Sequence, residues 1–189
     1  MKNITLKRID ESNFIDAFQL ELAEGQEQFV SHPIRSLAQA YVYYRQCTPF
    51  GIYAGDVMVG YVMVIYDYDT SEYNLWHLMI HKNFQGRGYG RKAVQACLDY
   101  IYQKPFGPGN IVSLTCHKEN TAAIMLYQSL GFQETENHED EEIEMKLILK
   151  RRDAPSCKYN SGQSYLLRIF TSESEGRGYN DSGSHSRPR

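Results

Sequence analysis

The sequence predicts an α/β fold of the α+β kind, with about seven strands and four main helices in one domain. Three observations carry this. The chain has 189 residues and 42% hydrophobic content, enough for one domain with a real core. Its apolar residues alternate between a period of 2 and a period of 3.6, in the order β-α-α-β-β-β-α-β-α-β-β. Between the apolar run 75–80 and the helical spacing of 91–102 lies Gln85-Gly86-Arg87-Gly88-Tyr89-Gly90, a glycine-rich turn from strand to helix.

The elements follow in order. Residues 4–9 alternate and read as a first strand. Asp10 or Ser12 then caps a helix carrying Phe14, Ala17, Phe18 and Leu22. A turn at Gly25 leads to Pro33, and a second helix spans 36–46, ended by Pro49. Phe50 opens a strand, Gly55-Asp56 makes a hairpin turn, and 57–67 form its partner. A polar loop, 68–73, precedes a strand at 74–81. A helix follows over 88–104, its core face formed by Val94, Cys97, Leu98 and Ile101. A strand at 110–117 leads to a helix at 120–130, capped by Asn120 or Thr121 and closed by Gly131 at C′. Two strands, 131–137 and 142–149, complete the domain.

Residues 1–149 form the predicted domain. Residues 150–189 are rich in Ser, Gly and Arg and read as a disordered or artefactual extension. Residues 151–189 carry seven basic and four acidic side chains, net +3; from the total of −3 this leaves −6 on the first 150. An acidic domain suits a small cationic partner and gives no reason to expect nucleic acid. The N-terminus has no signal-peptide core, and the longest apolar run is too short to span a membrane. Cys47, Cys97, Cys116 and Cys157 form no C-x-x-C pair, so no metal or redox motif is indicated. The expected setting is cytoplasmic.

Glycines let backbone N–H groups approach a phosphate, and a helix N-terminus adds partial positive charge. Gly86, Gly88 and Gly90 do not match G-x-G-x-x-G, and no Walker string is present. Gln85, Gly88 and Gly90 do match Q/R-x-x-G-x-G/A. About thirty residues on, Asn120 opens a helix ending in Leu126-Tyr127-Gln128-Ser129-Leu130-Gly131-Phe132, an L-Y-x-x-x-G-F string. These two motifs resemble those of the GNAT superfamily of N-acetyltransferases, over residues 1–149. The resemblance implies a mixed central sheet splayed at its central strands to admit coenzyme A, and an acetyl-CoA-dependent acyltransferase that needs no metal. It also implies cofactor contacts from Leu78, Met79, Ile80, Gln85, Gly86, Arg87, Gly88, Tyr89, Gly90, Arg91, Asn120 and Tyr127. Tyr127 is expected to protonate or hydrogen-bond the departing thiolate, and His77 is the candidate base, with Asp67, Glu72 or a water chain as alternatives. An alkyl ammonium with pKa about 10.4 is neutral in only roughly one molecule in a few thousand at pH 7, a cost of about 4–5 kcal/mol. No Ser/His/Asp order or activated cysteine is visible, so direct attack by the amine is expected.

Acidic and aromatic side chains interleave in the segments where the family holds its substrate. Glu24, Glu27, Phe29, Tyr44, Asp67 and Glu72 are the candidate substrate contacts. Gln26-Glu27-Gln28-Phe29-Val30 and Pro49-Phe50-Gly51-Ile52-Tyr53 resemble strings of the bacterial spermine/spermidine (diamine) N-acetyltransferases. The expected acceptor is thus a primary amine such as spermidine. Another amine (an aminoglycoside, an amino acid or a protein N-terminus) and a non-catalytic coenzyme A-binding module are the alternatives, and a homodimer stays open.

Overall fold

The computed structural model describes residues 3–150. Residues 150–189 were expected to form a disordered or artefactual extension; beyond Lys150 they lie outside the described residues. Strand β1 is Ile4–Arg8, α1 is Phe14–Phe18, α2 is Pro33–Val42, β2 is Cys47–Ala54, β3 is Val57–Asp67 and β4 is Glu72–Ile80. After a 3₁₀ turn at Lys82–Phe84 come α3, Tyr89–Tyr102; β5, Ile111–His117; α4, Thr121–Gln128; β6, Gln133–Glu139; and β7, Glu142–Ile148.

The seven strands form one sheet in the order β1-β2-β3-β4-β5-β7-β6. Every neighbouring pair is antiparallel except β4 and β5, which run parallel. Helices cover both faces. On one face Val62, Val64 and Tyr66 of β3 join Val94, Cys97 and Ile101 of α3 and Tyr127 of α4. On the other, Tyr61, Met63 and Ile65 join Ala17 and Ala40 from α1 and α2. Alternate β3 residues thus serve opposite cores, and the strand reads as a continuous apolar run. Burial of this kind stabilises by about 25 cal/mol per Å² of apolar surface.

The element order matches expectation, but several boundaries moved. Helix α2 starts earlier, with Pro33 at its first turn, where a missing N–H is harmless, and the His32 imidazole accepting from the Ile34 N–H. It ends at Val42, so β2 begins at Cys47, before the expected proline stop. Pro49 sits inside β2 because β1 ends opposite Phe50. Its carbonyl accepts from Ile9 N–H, and the donor it lacks would fall past the end of that ladder. Helix α1 is a single short turn that stops before Leu22, and its N-cap Asn13 makes no side-chain cap. Asp10 instead holds the preceding turn, accepting from the Ser12 N–H at 2.8 Å and its hydroxyl at 2.6 Å.

Gly131 ends α4 as expected. It has φ +95°, and Phe132 N–H reaches back to the Tyr127 carbonyl at 3.1 Å while Gly131 N–H reaches Gln128. That pair of bonds is the Schellman arrangement, and its usual apolar contact is present between the Tyr127 and Phe132 rings, 5.8 Å apart. The consequence is functional, since this lock fixes where Tyr127 points.

Candidate active site

Strands β4 and β5 pair only at Tyr73 with Val112 and Asn74 with Ser113. The Ser113 hydroxyl rivets this junction through Asn74 Oδ1 at 2.7 Å. Beyond it the strands part. Just past the parting, β4 is itself distorted. Tyr61 pairs with Met79 and Met63 with Trp76, so Val62 of β3 faces both His77 and Leu78. This is a β-bulge, which bends its strand and increases local twist. His77 carries the strain in the left-handed region at φ +55°.

The parted strands enclose a groove of about 1390 Å³. Leu75, His77, Leu78, Met79 and Ile80 line one bank, and Cys116, Asn120 and Tyr127 the other. Gln85, Gly86, Gly88, Tyr89, Gly90 and Arg91 of the glycine turn also line the groove, as do Glu27, Phe29, His32, Arg35 and Gln39.

The glycine turn can take an anion. Gly86 and Gly88 have φ of +72° and +74°, open to glycine without strain. Gly88 caps α3 without any side-chain hydrogen bond, so the helix's first N–H groups receive none from the N-cap residue. A Cβ added at Gly86 would meet nothing within 4 Å, so the space above the turn is open. Two unpaired strand edges facing one slot likewise suit an extended, amide-bearing arm. The donor set therefore fits a diphosphate followed by a pantetheine arm.

Several side chains expected to touch cofactor have other partners. Gln85 Nε2 donates to the Ile80 carbonyl at 2.9 Å and to Gln26 Oε1 at 2.8 Å. Arg91 binds the Ser129 carbonyl and hydroxyl at the end of α4. Arg87 lies over the Phe84 ring at 5.6 Å and does not line the groove. Asn120 Oδ1 accepts from Ala123 N–H at 3.3 Å, so it caps α4 while also facing the groove.

Tyr127 is 8% exposed, and its hydroxyl has no hydrogen-bond partner among the described residues. Burial, with Cys116 and Cys97 nearby, pushes its pKa well above the usual phenol value, so it stays protonated. His77 is half-buried, and desolvation lowers its pKa below 6.5, with the Arg35 guanidinium adding to the effect. It is therefore neutral at pH 7. Burial pushes the Cys116 thiol up to about 11 and Cys97 up to about 12.

The substrate candidates separate. Glu27 and Phe29 line the groove; Glu24, Tyr44, Asp67 and Glu72 do not. Asp67 and Glu72 face each other where the β3–β4 hairpin turns. Glu72 is eight residues before Ile80 on β4, about 26 Å away at roughly 3.3 Å per residue. It pairs instead with Lys146 at 3.1 Å. Tyr44 is 65% exposed beyond the end of α2. Arg35 and Gln39 of α2 and Trp76 of β4 face the groove without having been expected there, because no sequence period marks which face of a helix or strand meets a split sheet. Among the described residues no group of His, Cys, Asp and Glu could hold a metal ion, and no helix is long and apolar enough to cross a membrane.

Comparison with known proteins agrees with this geometry. The Acetyltransferase (GNAT) family matches residues 14–132. A probable spermine N(1)-acetyltransferase from Bacillus subtilis subsp. natto is 27% identical over 140 residues, covering 69% of this chain and 88% of that protein. The N-alpha-acetyltransferase RimI of Mycobacterium tuberculosis is 34% identical over 85 residues, 44% of this chain and 50% of that protein. In fold, the chain is similar to RimL, a ribosomal L7/L12 alpha-N-protein acetyltransferase solved in complex with coenzyme A. The TM-score is 0.65 at 13% identity, over 79% of this chain and 96% of that one. With a family match that spans more than half its length and a split sheet opening onto a glycine-rich helix start, this chain belongs to the GNAT acetyltransferase family, the acyltransferases that acetylate amines.

Proposed function

We propose that the chain transfers acetyl from acetyl-CoA to a polyamine such as spermidine or spermine, by direct attack of the amine in a ternary complex. The observation that carries the chemistry is one continuous groove. It is lined by the start of α3, the parted edge of β4, Tyr127 and the arm between α1 and α2 that holds Glu27 and Phe29.

When bound, acetyl-CoA supplies an activated thioester. The N–H groups of residues 86–91 would hold its diphosphate, and the free edge of β4 at Leu78, Met79 and Ile80 its arm. A β4 backbone N–H released from the ladder by the bulge would face the developing oxyanion, and stabilising that charge commonly accounts for most of the catalysis of acyl transfer. His77 would take a proton from the amine, since it is neutral at pH 7. Tyr127 Oη would give a proton to the sulfur as the C–S bond breaks and the C–N bond forms. The neutral thiols of Cys97 and Cys116 offer no thiolate nucleophile, which supports direct attack.

For the polyamine, support comes from the spermine acetyltransferase similarity and from Glu27 with Phe29 at the acceptor arm. A carboxylate beside an aromatic face suits an extended cation. One observation favours a second reading. Arg35 lines the same arm beside His77 and makes no ion pair among the described residues. An unpaired guanidinium suits an acceptor carrying a carboxylate near its amine, such as an amino acid or an acidic peptide terminus.

A thiol-release assay with acetyl-CoA against spermidine, spermine, free amino acids and short peptides tests both. Turnover of spermidine above all others is the expected result. Turnover confined to carboxylate-bearing amines would replace the polyamine with the second class. Tight coenzyme A binding with no turnover would leave a non-catalytic binding module.

A further inference from the structure

The segment joining α1 to α2, residues 19–32, lies across the split sheet and is pinned on both banks. On the β4 bank, the Glu21 carbonyl accepts from Lys82 N–H at 2.8 Å, and the two side chains form an ion pair at 2.5 Å. Both of these side chains are largely exposed, so the ion pair adds little. On the β5 bank, Phe29 packs against the His117 ring with centroids 5.3 Å apart.

The central fastening is a reciprocal amide pair. Gln85 Nε2 donates to Gln26 Oε1 at 2.8 Å, and Gln26 Nε2 donates back to Gln85 Oε1 at 3.3 Å. Neither amide is free to flip. Gln26 Oε1 also accepts from Ala23 N–H at 3.2 Å, which demands an oxygen there. Gln85 Nε2 also donates to the Ile80 carbonyl at 2.9 Å, which demands a nitrogen. The pair therefore ties three parts together: the last residue of the β4 bank, the residue that opens the glycine turn, and the strap that carries Glu27 and Phe29. Both glutamines are half-buried, where such a bond is less exposed to competition from water.

We propose that Gln26 is a positioning residue. Through Gln85 it couples occupancy of the turn at residues 86–91 to the order of the strap that forms the acceptor arm. The inference rests on the acetyl-CoA reading of that turn. A ligand that immobilises residues 85–91 fixes the Gln85 amide, and the fixed amide holds the strap in the conformation the acceptor meets. The reciprocal statement follows from linkage: an acceptor that orders the strap tightens the turn on its ligand by the same factor.

The test is hydrogen exchange on the full chain with and without coenzyme A, which needs no acceptor. In the wild type, coenzyme A should slow exchange both at residues 86–91 and across residues 20–31, the latter about 5- to 20-fold, within the usual range of coupling. In Gln26→Ala, the turn should still be protected while the strap's response falls to less than about 2-fold. Gln26→Glu keeps the oxygen that Ala23 and Gln85 donate to, so it should retain most of the response; Gln26→Met, of similar length but without the amide, should lose it as alanine does and serves if the alanine variant folds poorly. Equal protection of the strap in wild type and Gln26→Ala would overturn the proposal and leave the acetyl-CoA reading intact. Absence of protection at residues 86–91 in the wild type would instead remove the acetyl-CoA reading, and this inference with it.

Discussion

Tyr127→Phe deletes one oxygen from a residue whose surroundings are otherwise fixed. The ring is buried in the core between α3, α4 and the sheet, and its edge contact with Phe132 does not involve the hydroxyl. That hydroxyl bonds to none of the described residues, so no protein partner is orphaned by its loss. Stability should change by less than about 1 kcal/mol, or roughly 2–4 °C in Tm for a domain of this size. The rate should behave differently. A positioned proton donor contributes about 10²–10⁴-fold, equivalent to about 2.7–5.5 kcal/mol at about 1.36 kcal/mol per decade. Because burial raises the phenol pKa, the donor keeps its proton throughout an ordinary assay range. The wild-type rate should therefore show no alkaline loss from this group below about pH 10. Thiol release gives kcat and KM, and calorimetry gives the coenzyme A Kd. The expected pattern is a fall of at least about 100-fold in kcat/KM with Kd within about 3-fold. A variant that keeps its rate within about 3-fold would refute the acid role; equal losses in rate and binding would make Tyr127 a pocket wall.

Three further outcomes are expected. Gly88→Asp should raise the coenzyme A Kd at least about 100-fold with little loss of apo stability, since Asp tolerates the left-handed φ of +74° yet sets a carboxylate where the proposed diphosphate would lie; unchanged affinity by calorimetry would contradict the placement. His77 has a lowered folded pKa, so the unfolded chain binds the proton first, and stability should fall as pH drops through about 6.5 toward that value. Tm measured from pH 5 to 8 should show a shallower fall in His77→Gln, and an unchanged slope would mean that His77 does not carry it. Glu72→Gln should leave kcat/KM within about 2-fold and cost less than about 1 kcal/mol, because its Lys146 pair sits at the far end of β4; a large loss of turnover would return Glu72 to the site.

The site was unevenly legible in the sequence. The glycine turn and the α4 helix announced themselves because their chemistry is local: a left-handed backbone needs glycine, and a helix end needs a cap. The Schellman closure at Gly131 and the Asn120 cap followed from neighbours within a few positions. Of the acceptor arm only Glu27 and Phe29 were expected to line the groove; Arg35, Gln39 and Gln26 meet it only through packing across the sheet. Asp67 and Glu72 carry the expected charge, yet sit at the end of β3 and the start of β4, outside the lining of the groove.

What the chain determined by itself is the series of elements and the glycine-rich turn, because period, glycine position and capping are fixed by nearest neighbours. Only the tertiary structure decided that β4 carries one extra residue opposite Val62, that the sheet opens after Asn74, and which side chains face the opening. Strand register and splay arise from contacts between distant segments, and no local pattern encodes them.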